Sequence, residues 1–254
     1  MNRELLITLL KKDIKDRYLG SYLGVFWLVI QPVISIFIFW FVFQVGFKTA
    51  SVGEHPFFLW LVAGILPWFY FSEAFSSASS SVVEQANLIK KISFNSLLLP
   101  IVKIINSLFI HIFFLVLFTI IALAYGYNIT FEWISLLYYL VCLILLTTGV
   151  SLITSSLNPF IRDIGQIVGV LVQFGFWLTP IFWNLNTIPE RFQKLFEYNP
   201  VYYIVKGYRD VVLDNTPFWS EPQKAILFLC FVIILNVVGL AIFRKLRPHY
   251  PDVL

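Results

Sequence analysis

The stretch VFWLVIQPVISIFIFWFVFQVGF, Val25 to Phe47, carries no charged side chain from end to end. A helix rises 1.5 Å per residue, so about 20 such residues cross a hydrocarbon core roughly 30 Å thick. Five further blocks read alike: 57–75, which contains Pro67, then 104–125, 133–157, 164–182 and 225–243. The chain of 254 residues is 59% hydrophobic and 13% charged, with mean hydropathy +0.83, whereas a soluble domain carries roughly 25% charged residues. A water-soluble globule is excluded. The expected fold is an all-α polytopic membrane protein, one domain over residues 1–254 with six transmembrane helices.

The segments between the blocks have patterns of their own. In residues 1–24, Leu5, Leu6, Leu9, Leu10, Ile14 and Tyr18 share one helical face and Lys11, Lys12, Lys15 and Asp16 lie elsewhere, which predicts an amphipathic helix along the membrane surface. The first apolar block is too long for a leader peptide, so no cleavage is expected. Within 82–94, Val82, Val83, Ala86, Leu88 and Ile89 alternate with Glu84, Gln85, Asn87, Lys90 and Lys91. That is a short amphipathic helix able to dock in a groove on a partner; an interfacial turn fits the same composition. In 186–214, apolar stripes through Ile188, Phe192, Leu195 and Phe196 and through Val201, Ile204, Val205, Tyr208, Val211 and Val212 flank Asn199-Pro200. Two short helices divided by a proline turn are expected there.

Six crossings leave both termini on one face of the bilayer. Twelve Lys and Arg side chains fall on that face and six on the other, so the positive-inside rule predicts cytoplasmic termini. The net charge of +4 is explained by this orientation, and no nucleic-acid partner is expected. Cys142 and Cys230 lie inside apolar blocks, which offers neither a disulfide framework nor metal-ligand spacing.

The chemistry is sparse. No glycine precedes a lysine, so the phosphate-cradling loop of an ATP-binding protein is absent. No metal site, cofactor or catalytic group is expected in this chain. Glu73 falls near the end of the second block, where a solvated helix end is the simplest reading. His111 is the one ionisable group well inside a block, and a neutral imidazole hydrogen-bonded to a neighbouring helix suits it better than a proton relay. Thr147, Thr148, Ser151, Thr154, Ser155 and Asn158 share a face of the fourth block, as residues do where helices pack closely.

Aromatic residues make up 19% of the chain. The first block carries Phe37, Phe39, Trp40, Phe41 and Phe43, and the fifth Phe174, Phe176, Trp177 and Phe182. An aromatic face stacks on the apolar face of a sugar ring, so such a lining lets a glycan slide; packing against lipid or core is the plainer use of each residue.

Asp13-Ile14-Lys15-Asp16-Arg17-Tyr18-Leu19-Gly20-Ser21-Tyr22-Leu23-Gly24, with Trp27 and Pro32 after it, resembles the opening signature of ABC-2 type permeases that export cell-surface polysaccharides. Gly64, Pro67-Trp68-Phe69 and Asn87 to Phe94 continue the likeness, as do Arg162-Asp163-Ile164, Thr179-Pro180-Ile181, Asn199-Pro200 and Arg209. The branch that exports O-antigen is the most similar. The family often has Phe-Pro where this chain has Phe94-Asn95, and Pro100 is the next residue able to bend the chain.

The resemblance implies a homodimer in the bacterial inner membrane, bound to two ATP-binding cassette subunits that carry the ATP and Mg. It implies that Asp13, Arg17, Glu84, Asn87, Leu88, Lys90 and Lys91 contact those subunits. It further implies a central channel lined by Trp27, Phe37, Trp40, Phe41, Gln44, Gln173, Phe176 and Trp177, and an outer gate at Pro180, Asn199 and Pro200. The expected function is export of a lipid-linked polysaccharide. An exporter of a lipid or drug is the alternative within the superfamily. An intramembrane enzyme acting on lipid-linked sugars is the alternative of another class, with Glu190, Glu197, Asp210 and Asp214 as its candidate carboxylates.

Overall fold

A computed structural model describes residues 3–18, 24, 26–49, 51–91 and 95–254, with only the backbone of Arg3, Asp16, Arg17, Tyr18, Leu28 and Lys91. Residues 19–23, inside the opening signature, Val25, and Ile92-Ser93-Phe94 at the end of the 82–94 segment lie outside the described residues. So do the side chains of Arg17 and Lys91.

The helices are α1 (Arg3–Tyr18), α2 (Phe26–Trp40), α3 (Phe57–Glu84), α4 (Ala86–Lys91), α5 (Leu98–Ala124), α6 (Ser135–Leu157), α7 (Ile164–Leu178), α8 (Glu190–Glu197), α9 (Pro200–Val212), α10 (Pro222–Leu246) and α11 (Tyr250–Val253). A π-helical turn, Phe41–Gly46, prolongs α2. A two-stranded hairpin, β1 (Ser51–Val52) and β2 (His55–Pro56), pairs Ser51 with Pro56 and Val52 with His55, and Gly53 takes the positive φ its tight turn demands. Among the described residues, five helical stretches are long and apolar enough to cross a membrane: Val29–Gly46, Phe57–Glu84, Leu98–Ala124, Phe131–Leu157 and Pro222–Val253. The shorter apolar α7 adds to them.

α3 is the axis of the bundle, packed by α5, α6, α7 and α9. It runs nine residues past Phe75, where the apolar block ends, through the serine run Ser76 to Ser81. Those serines do not break it because their hydroxyls donate back to their own helix: Ser79 to the Phe75 carbonyl at 2.7 Å and Ser81 to that of Ala78 at 2.7 Å. Their small size also admits α6. Ser79 Oγ lies 2.6 Å from Thr154 Oγ1, and Asn158 donates to the Ser79 carbonyl at 3.0 Å. Glu73 consequently sits within α3, not near its end. The 82–94 segment is divided: Val82 to Glu84 close α3, and the separate helix is α4 alone.

The hydroxyl face of α6 is a packing seam, with Thr147, Ser151 and Ser155 buried. On its other flank Gly149 meets Gly239 of α10, and Asn236 donates to the Leu145 carbonyl at 2.8 Å. His111 is buried in α5, its Nε2 2.9 Å from the Tyr208 hydroxyl of α9. Pro100 falls in the first turn of α5, where its missing N–H costs nothing. The turn is made earlier by Asn95, whose carbonyl accepts the Leu98 N–H at 3.0 Å.

A Cβ on Gly239 would stand 2.9 Å from the Gly149 carbonyl oxygen and 3.0 Å from Leu152 Cβ. Gly239→Leu is therefore expected to cost about 1–3 kcal/mol by overpacking, read as a lower unfolding temperature of the purified protein in detergent, whereas Ser79→Ala costs about 1 kcal/mol.

Candidate functional site

The long α3 separates two polar assemblies. One lies at its start, near Trp60, and the other at its end, near Glu84.

At the start, α7 stops because Thr179 is extended and Pro180 cannot continue a helix. Asn199 bridges this break to α9: its Nδ2 donates to Thr179 Oγ1 at 2.9 Å, and its Oδ1 accepts the Val201 N–H at 2.9 Å as the helix cap. Pro200 takes the first helical position, which suits its fixed φ. Pro180, Asn199 and Pro200 are thus brought together at one junction.

Arg209 of α9 closes that junction. Its side chain is 6% exposed. Nη1 donates to the Pro180 carbonyl at 2.7 Å, Nη2 to that of Ile181, and Nε to that of Trp60 at 3.1 Å. The guanidinium lies over the Trp60 ring, 3.4 Å from its centroid, a cation–π contact. Gly64 makes the room, since a Cβ there would approach Cζ to 2.7 Å. Sequence reasoning treated Arg209 as an outer charge and a family match and missed this role. The available signal was its spacing, four residues after Val205 and next to Tyr208, on the apolar face of α9.

Beside it, His55 Nε2 is 2.8 Å from Asp214 Oδ1 and Nδ1 is 2.7 Å from the Tyr127 hydroxyl. This joins the hairpin to the loops before α6 and α10. Burial, and then the Asp214 charge, push the Tyr127 hydroxyl above its ordinary pKa. Lys206 pairs with Asp210. Of the carboxylates considered for an enzyme, Asp210 and Asp214 line one cavity but are each taken up, by Lys206 and by His55, while Glu190 and Glu197 stand at opposite ends of α8. Among the described residues no group of His, Cys, Asp and Glu could hold a metal ion.

At the other end, Lys103 is nearly buried between two carboxylates. Its Nζ lies 2.7 Å from Asp13 Oδ1 and 2.8 Å from Glu84 Oε2. Asn106, one turn along α5, donates to Asp13 Oδ2 at 2.7 Å. These bonds tie α1 to α5 and to the end of α3, and they turn Asp13 inward while Ile14 stays exposed, the reverse of the amphipathic pattern. Lys103 was legible only as a topological charge; a lysine at the mouth of an apolar block that needs a carboxylate partner was the signal. α4 hangs between two apolar clusters. Leu88 packs with Leu9, Leu98 and Val102, and Ile89 with Val82, Phe243 and Tyr250. Asn87 and Lys90 remain exposed.

Rings of α2 and its π-helical turn meet rings of α7 and of the turn that follows it. Phe39 and Phe43 meet Phe182 at 6.0 and 5.4 Å, and Phe176 packs among Phe39, Phe182 and Trp68 at 5.5, 5.4 and 5.9 Å. Phe176 is thus engaged within its own chain. Trp27, Phe37, Phe41, Gln173 and Trp177 are exposed, and Trp40 and Gln44 are half-buried.

Several apolar helices of spanning length, arranged around a buried axis, define a multi-pass membrane protein. The chain belongs to the ABC-2 type transporter family, whose pattern matches residues 4–213. It is accordingly a transmembrane permease subunit, of a kind that binds no cofactor itself and associates with an ATP-binding subunit. The O-antigen export system permease protein RfbA of Klebsiella pneumoniae is 29% identical over 252 residues, covering 99% of this chain and 95% of its own. RfbA of Myxococcus xanthus is 28% identical, covering 98% and 95%. The polysialic acid transport protein KpsM of Escherichia coli is 20% identical, covering 92% and 90%.

Replacing Arg209 by Ala strands the Pro180 and Ile181 carbonyls, at about 1–3 kcal/mol for each buried group. Arg209→Lys keeps the charge but not the fork, so the unfolding temperature is expected to fall in both variants and further for Ala. A Gly64→Ala protein should resemble Arg209→Lys, because the added methyl displaces the guanidinium from its seat.

Proposed function

We propose that this chain is the permease of an ATP-driven exporter that moves a lipid-linked polysaccharide of the O-antigen type outward across a bacterial inner membrane. Two copies act with two ATP-binding subunits, all six apolar helices cross the bilayer, and both termini are cytoplasmic. The observation that carries this reading is similarity along nearly the whole length to proteins named for O-antigen and polysialic acid transport. Both cargoes are sugar polymers.

In this reading α2 and α7 line the channel between the two copies. No residue of Val29–Gly46 is buried, and in α7 only Val168 is. Neighbouring apolar helices that bury so little against their own chain leave faces for a second copy and for cargo. Trp27, Phe37, Trp40, Phe41, Gln44, Gln173 and Trp177 supply rings and amides to that path, with Phe176 supporting them from behind. The junction of Pro180, Asn199 and Pro200 serves as the outer gate. The ATP-binding subunit docks at α4 and α1, through Asn87, Leu88, Lys90 and Lys91 and through Arg17 and Glu84; Asp13, expected at this contact, faces inward and holds α1 on Lys103 and Asn106 instead. Closure of the nucleotide sites pushes α4, and Lys103 passes that push to α1 and α5.

The test is complementation. A strain lacking its own O-antigen permease, supplied with this chain and its ATP-binding subunit, should recover long surface glycan on gels. Efflux of a lipid or drug without glycan would transfer the assignment to that cargo. Phe37→Ala, Phe41→Ala and Trp177→Ala combined remove ring contacts worth about 0.5–1.5 kcal/mol each, so export should fall about tenfold or more while the complex still hydrolyses ATP.

A further inference from the structure

The chain continues past α10 and folds back. Tyr250 is fully buried, against Phe243 at 5.7 Å between ring centroids and Phe160 at 6.1 Å. It shares its cluster with Val82 at the end of α3, Leu152 of α6 and Ile89 of α4. Arg247 adds a polar link, its Nη1 donating to Asn95 Oδ1 at 3.0 Å in the turn between α4 and α5. The family pattern ends at residue 213, so it assigns no role to this segment.

Two physical points give the contact weight. α4 has six residues, too few for a helix to hold itself in water, so its position depends on what it packs against. Leu88 and Ile89 are successive residues on different flanks, one held by α1 and α5, the other by the Tyr250 cluster. Without Tyr250, the Ile89 flank keeps Val82 and Phe243 but loses the ring contributed by the C-terminal turn. The Tyr250 hydroxyl, moreover, is buried with no hydrogen-bond partner, so the ring supplies the anchoring and the hydroxyl does not.

We propose that the turn Arg247–Leu254 is a positioning element for α4, with Tyr250 as its anchor: it holds the short helix at the angle at which a push from the ATP-binding subunit reaches the bundle. The proposal rests on the docking role assigned to α4 above. Loss of the anchor should leave a docked complex that hydrolyses ATP but transmits little of it.

The experiment compares Tyr250→Phe, Tyr250→Ala and Asn95→Ala in the full complex. Three quantities are read: co-purification of the ATP-binding subunit, ATP turnover, and glycan exported per ATP hydrolysed. Tyr250→Phe should match the unaltered protein in all three. Tyr250→Ala should keep co-purification and turnover within about twofold and lose about tenfold in export per ATP, a typical size for coupling between sites. Asn95→Ala, which removes the Arg247 link together with the Oδ1 acceptor of the Leu97 N–H but leaves the Tyr250 packing in place and so guards against misfolding of the alanine variant, should lose about threefold in the same ratio. Unchanged export per ATP in Tyr250→Ala and Asn95→Ala would overturn the proposal. So would a loss in Tyr250→Phe equal to that in Tyr250→Ala, or loss of the subunit from a monodisperse Tyr250→Ala protein. Replacing 87–91 by a Gly/Ser linker tests the docking role separately: coupling that survives the linker removes that role, whatever the Tyr250 series gives.

Discussion

Backbone that leaves a helix inside an apolar bundle has to find donors and acceptors within the protein. α7 ends at Leu178, and the chain turns through Thr179, Pro180 and Ile181 while still buried. The guanidinium of Arg209 meets that demand. Its planar fork takes the carbonyls of Pro180 and Ile181 and reaches across to Trp60 of α3, a geometry lysine cannot reproduce. The placement of α9, the end of α7 and the start of α3 all refer to this one side chain, and the glycine at position 64 exists in that setting as an empty seat. Asn199 performs a similar service with neutral groups, joining Thr179 to the first turn of α9.

The opposite end follows the same logic with carboxylates in place of carbonyls. There a cation, Lys103, is satisfied by Asp13 and Glu84, contributed by two other segments. A buried ion pair gives little net stability, because the cost of removing both charges from water offsets most of the attraction. What such a pair does provide is register: α1 seats on α5 only where Asp13 can reach both Lys103 and Asn106. The amphipathic face of α1 is rotated accordingly, which places Ile14 outside and Asp13 inside.

Much of the architecture could be read from the chain in advance, because it rests on local constraints. The apolar blocks, the break at Thr179-Pro180 and the proline turn at Asn199-Pro200 each follow from side chains within a few residues of the feature. Three things resisted reading, and each depends on a distant partner. The serines after Phe75 look like a helix terminus until α6 is seen lying against them. Arg209 looks like an outer charge until the carbonyls some 28 residues earlier are brought to it. Phe176 is indistinguishable from Phe174 by composition, and only the positions of Phe39 and Phe182 show that one faces inward while the other is exposed. Periodicity tells which residues share a face; it does not tell what stands opposite.

The length of α3 has a mechanical corollary. Its 28 residues make a rod of about 42 Å, clamped near Trp60 by the arginine and gripped near Glu84 by the lysine. Turning as one piece about Arg209, such a bar would sweep its far tip through roughly 6 Å for a tilt of about 10°, given about 36 Å between them; Pro67, inside the helix, is where it would bend instead. Small rearrangements around Pro180 and large excursions beside α4 would then be two readings of a single rotation, with the gear ratio set by where along the rod the pin is driven.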